Sequence, residues 1–121
     1  MKHGIVRGLS KGALATRVRR GEITRLAKGL YVWGMPEPVE LLTLLQEHRP
    51  FLKATGTTAA QVLLGQDVTF PLKLASAERM PVSTFYVHAR VSVRSFVSVS
   101  GLRVLNPLVA MKTVSPELGI R

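Results

Sequence analysis

The sequence predicts an α+β fold, and three observations carry that expectation. Residues 9–33, LSKGALATRVRRGEITRLAKGLYVW, read as a short basic helix, a glycine stop and a tight basic hairpin. Residues 39–48 hold leucines at helical spacing. Residues 85–105 alternate apolar and polar positions with the period of a strand. A helix followed by a basic hairpin is the working half of a winged helix-turn-helix. The expected architecture is therefore a winged helix-turn-helix-like head with its supporting helix over residues 1–50. A small α+β part with an antiparallel sheet follows over residues 51–121.

The helix begins at Ser10, whose hydroxyl is suited to accept a free amide of the first turn. Leu14 and Val18 make one apolar stripe, and Gly21 ends the pattern as a C′ glycine does. At 100° per residue, Gly12, Thr16 and Arg19 fall opposite that stripe. Ala13, Ala15 and Arg20 lie on the flanks, and Lys11 and Arg17 border the stripe. Residues 23–26 and Leu30–Trp33 follow as strands, with Gly29 free to take a positive φ in the turn. Residues 1–8 carry no clear helix pattern. Either Ile5 and Val6 start a minimal helix, or another segment or a second subunit covers the back of the basic helix. Residues 39–48, entered through Pro38 and stopped at Arg49-Pro50, are expected to pack there through Leu41, Leu42 and Leu45.

The remaining elements are short. Residues 51–55 read as a strand and 58–64 as a helix stopped by Gly65. Residues 72–77 read as a strand, and 78–81 as a turn. Phe85, Val87 and Ala89 then alternate with Tyr86, His88 and Arg90, and Val91, Val93, Val97 and Val99 alternate with polar positions. Half-exposed antiparallel strands are the expected form. Residues 102–105 follow a Ser-Gly turn, and Asn106-Pro107 caps a final helix over 108–114.

Composition narrows the partners. The 121 residues hold 17 Lys and Arg against 7 acids, a net charge of +10, and no cysteine. Eight of those basic residues and one acid, Glu22, precede Tyr31. A polyanion, most simply double-stranded DNA, is the expected partner. The plainer reading is a solvated basic helix that keeps the chain in solution. No disulfide, thiolate zinc site or membrane span is expected, and the chain reads as cytoplasmic, without a membrane partner. His3, His48 and His88 share no ligand spacing. Asp67 and Glu78 only weakly approach a metal-nuclease pattern, and no nucleotide loop or nucleophile elbow is present. The serines read as solvated strand positions. The expectation is a non-enzyme without metal or cofactor.

In its N-terminal stretch the chain resembles AbiEi-type antitoxins of type IV toxin–antitoxin and abortive-infection systems. The resemblance rests on Leu9-Ser10, on the basic run ending Arg20-Gly21, on Ile23-Thr24-Arg25 and on Gly29-Leu30-Tyr31. It continues through ATGTTAAQVLLG at residues 54–65, the strands of 85–105 and the Asn-Pro helix. It implies a sequence-specific DNA-binding regulator that represses its own operon at inverted repeats, with a homodimer and a cognate toxin as further partners. Carried over residue by residue, DNA contact falls on Ser10, Lys11, Thr16, Arg17, Arg19 and Arg20 in the helix, and on Arg25 and Lys28 in the wing. Within that set Arg19 and Thr16 are expected at base edges and Arg17, Arg20, Arg25 and Lys28 at phosphates. The competing reading is a protein-interaction module of such a defence system, with residues 51–114 as its binding surface and only non-specific nucleic-acid binding. An RNA-binding reading asks for exposed aromatics, and Phe, Tyr and Trp make up 6% of the chain.

Overall fold

The fold, seen in a computed structural model that describes residues 4–91 and 96–105, is α+β. The expected helix over 108–114 and its Asn-Pro cap lie outside the described residues. Helix α1 (Lys11–Arg19) starts where Ser10 Oγ accepts from the Ala13 amide at 3.2 Å. It ends in a Schellman motif: the Glu22 amide donates to the Arg17 carbonyl and the Gly21 amide to that of Val18, with Gly21 at φ +74°. Strands β1 (Ile23–Ala27) and β2 (Leu30–Trp33) form the expected antiparallel hairpin, and Gly29 takes the positive φ its turn requires.

Helix α2 (Pro38–His48) carries proline in its first turn and a capping box between Glu37 and Glu40. Next come β3 (Lys53–Ala54), α3 (Gly56–Leu63) and β4 (Leu72–Ser76). Strands β5 (Tyr86–Arg90), β6 (Phe96–Val99) and β7 (Leu102–Leu105) complete the described chain. The larger sheet has the order β5-β4-β3-β7-β6. A single apolar cluster runs from Leu26, Leu30 and Val32 of the hairpin through Leu41, Leu42 and Leu45 of α2 to Leu74 and Val104 of the sheet.

Three expectations need correction, and one open alternative, a minimal helix at Ile5 and Val6, is decided. The larger sheet is mixed, not antiparallel: β3 with β4 and β6 with β7 run antiparallel, but β4 with β5 and β3 with β7 run parallel. Alternation reports that one face is wet and is silent on direction, and residues 77–85 return the chain so that β5 runs alongside β4. The faces of β5 are also exchanged. Tyr86 is 2% exposed and Val87 52%. The Tyr86 ring enters the core while its hydroxyl donates to the Pro81 carbonyl, so a polar tip is reconciled with burial.

The segment ahead of α1 is extended, not helical. Ile5 bridges Val32, the Val6 amide donates to the Tyr31 carbonyl at 2.9 Å, and the Trp33 amide donates to that of Gly4 at 2.8 Å. Residues 4–6 thus line the free edge of β2, and no helix precedes α1 among the described residues. Last, α2 does not cover α1. It packs on β7, while α1 rests on β1. No residue of α1 is buried: Leu14 is half-buried and Val18 is 39% exposed. The leucines of α2 find a larger apolar partner in the sheet than the two-residue stripe of α1 provides.

Candidate nucleic-acid interface

The eight nominated residues all lie on α1, its cap and the hairpin, with different degrees of freedom. Lys11, Arg19, Arg20, Arg25 and Lys28 are exposed. Ser10 is exposed, but its hydroxyl is engaged as the N-cap. The Thr16 hydroxyl donates back to the Gly12 carbonyl at 3.0 Å, and the Arg19 guanidinium lies 3.5 Å from its oxygen. Arg17 faces the hairpin. Its Nη1 lies 2.9 Å from Glu22 Oε1, and its guanidinium carbon is 5.4 Å from the centroid of the Trp33 ring. Arg20 approaches the other oxygen of Glu22 at 3.9 Å. The one acid of this region is therefore held between two arginines. The contacts of Arg17 fasten α1 to the hairpin.

The hairpin is not a free-standing wing. Its register slips between Arg25 and Ala27, a bulge that puts both Leu26 and Ala27 into the core. Leu30 and Val32 are buried with them, which anchors that face in the core, while Ile23 is buried on the opposite face, beside Trp33. Arg25 and Lys28 project from the anchored ribbon. They share an open cleft of about 560 Å³ with Pro81, Val82, Ser83 and Thr84, the loop that leads into β5.

Comparison of the chain with protein-family models, curated proteins and solved structures gives no match.

Elsewhere the fold brings together groups that sequence spacing kept apart. Ser76 and His88 meet across the parallel pair β4–β5, with Oγ 2.8 Å from Nε2. The Ser76 hydroxyl donates to the Glu78 carbonyl at 2.8 Å, so Oγ accepts from Nε2–H. That polarity is the reverse of a nucleophile and its base. Burial, and then the Arg90 charge, lower the pKa of His88 below its ordinary value. His48 is lowered in the same way by burial and by Arg49 and Arg7. Among the described residues no group of three His, Asp or Glu side chains has the spacing to hold a metal ion. No described helix is long and apolar enough to cross a membrane.

Gln46 is another side chain the sequence did not single out. It is buried, its Nε2 donates to the carbonyls of Leu52 and Arg103, and its Oε1 accepts from the Arg103 amide. It fills the place of a strand residue where β3 is too short to pair with Arg103. A glutamine inside a leucine-rich helix was the available signal, since a buried amide needs several partners.

Proposed function

We propose that this chain is a DNA-binding transcriptional regulator that uses α1 and the β1–β2 hairpin on duplex DNA. The observation that carries the reading is the exposed set Lys11, Arg19, Arg20, Arg25 and Lys28, mounted on one anchored unit. Glu22, the acid of this stretch, is already paired with Arg17, which lies outside that set. A helix of nine residues with no buried side chain is free to enter a groove. At ~3.3 Å per residue, the hairpin sets Lys28 roughly 17 Å beyond Ile23, enough to reach a backbone across a groove ~12 Å wide. Arg19 then reads a guanine edge, with Thr16 beside it at a neighbouring base. Arg20, Arg25 and Lys28 hold phosphates, and Arg17 acts as a positioning residue.

The resemblance to AbiEi-type antitoxins supports a narrower form of the proposal: a cytoplasmic autorepressor that binds an inverted repeat as a homodimer. Binding-site selection on the wild type, Arg19→Ala and Arg20→Ala tests the reading of sequence. The expected result is a defined wild-type motif that relaxes at one base position in Arg19→Ala alone. Three identical motifs would leave α1 a non-specific clamp. Duplex affinity is also expected to fall with salt, with a log–log slope of roughly −0.9 per phosphate neutralised. A flat salt dependence would remove the DNA reading altogether.

A further inference from the structure

A second cationic surface is built on β3, β7 and β6. The registers Ala54↔Val104 and Ser98↔Arg103 put Lys53, Arg103, Ser98 and Phe96 on one face, beside the buried Ala75 and Leu105 and opposite the buried Ala54 and Val104. The Lys53 ammonium stands 5.3 Å from the centroid of the Phe96 ring and donates to the Phe51 carbonyl at 3.2 Å. Both rings remain open to solvent, Phe96 at 46% and Phe51 at 61%. Arg103 donates from Nη2 to the Gln46 carbonyl at 2.6 Å, and its buried Nε has no hydrogen-bond partner among the described residues. No described carboxylate lies within ion-pair distance of Lys53 or Arg103. Burial, and then the Arg103 charge, lower the pKa of Lys53 below its ordinary value.

We infer that this surface is a binding site for single-stranded nucleic acid, with bases stacked on Phe96 and Phe51 and a phosphate held by Lys53 and Arg103. Two neighbouring cations without an acid fit an anion. The exposed Phe96 ring beside Lys53, with the exposed Phe51 two residues before it in the chain, fits a ligand that offers flat faces next to its charge. A single strand offers both, whereas a duplex keeps its base faces stacked inside. An acidic peptide would meet the charges and leave the rings unused.

The test uses the full chain, fluorescein-labelled oligothymidylate and oligouridylate of twelve nucleotides, and a blunt duplex. The wild type is expected to bind at least one of the single strands. The double variant Phe51→Ala/Phe96→Ala should lose at least tenfold in that affinity, since a stacked base is worth roughly 5- to 150-fold. Its duplex affinity should match that of the wild type. Arg19→Ala/Arg20→Ala should show the opposite pattern, which separates this site from the one on α1. Phe96→Trp should retain single-strand binding. Phe96→Leu, which keeps the apolar bulk but not the ring, should lose it without a change in melting temperature. A wild type that binds neither oligonucleotide would overturn the inference. So would unchanged single-strand binding in the Phe96→Leu and double-alanine variants, or competition by polyglutamate equal to that by unlabelled oligonucleotide. The two labelled strands distinguish a ribose-specific site from one indifferent to the sugar.

Discussion

Arg17 and Gln46 show how much is decided at single residues. By sequence Arg17 is one more cation on a basic helix. In the fold it pairs with Glu22 and lies against Trp33, and its side chain is only partly exposed. Arg17→Ala is expected to cost about 1 kcal/mol in stability, the worth of a surface pair with a cation–π contact. It should leave the salt slope of duplex binding nearly unchanged, while Arg20→Ala lowers that slope by about one. Urea unfolding and affinity measured over a salt series check both halves. Equal slopes for the two variants would return Arg17 to the phosphate contacts. Gln46→Leu keeps the side chain's bulk but strips partners from the Leu52 carbonyl and from the Arg103 amide and carbonyl. Its expected cost is roughly 2–5 kcal/mol, because buried groups without partners bear their desolvation penalty. A loss under about 1 kcal/mol in the same unfolding measurement would mean that water replaces the amide.

At the level of elements, α1 is held by its ends and by Arg17 more than by its stripe. A buried leucine truncated to alanine costs ~2–5 kcal/mol, but Leu14 is only half-buried, so Leu14→Ala is expected to cost about 1–2 kcal/mol. A larger loss by chemical unfolding would show that α1 has a cover that its burial does not reveal. The pair β4–β5 and the end of α2 supply a pH dependence. His88 and His48 both have folded-state pKa values below the ordinary value of about 6.5. The unfolded chain therefore takes up protons first as pH falls. Their contribution to stability is complete above that ordinary value and is lost as pH drops from it through the folded values. Stability is expected to fall between about pH 7.5 and 5.5, and His48→Gln/His88→Gln should flatten that fall. Urea midpoints at the two pH values decide it, and an equal fall in the variant would assign the effect to other groups.

Across the whole molecule, one apolar cluster joins the hairpin, α2 and the larger sheet. The head and the remaining part are therefore expected to unfold together. Trp33, the only tryptophan, reports on the hairpin, and far-ultraviolet circular dichroism reports on the helices and sheets. Coincident transitions by the two signals are the expected outcome. A fluorescence transition that separates from the dichroism would show that the head melts by itself.

What the sequence determined by itself is local. The Ser10 cap, the Gly21 stop, the Gly29 turn and the Pro38 entry each depend on a residue's own backbone preference or on a partner within a few positions. The helices, the hairpin and the positions of most strands follow from such short-range rules. The nominated basic residues of the head were legible for the same reason, since charge is a property of composition. Only the tertiary structure decided which face of β5 turns inward, that β4 and β5 run parallel, and that α2 leaves α1 for the sheet. Those outcomes depend on which apolar surfaces compete best for one another, and that competition joins residues far apart in the chain. It also decided that Arg17 turns to Glu22 and Trp33, that Gln46 completes a short strand, and that Phe96 comes beside Lys53, 43 positions earlier. A periodic pattern records that a face is buried. The identity of its partner is set by the packing of the whole chain.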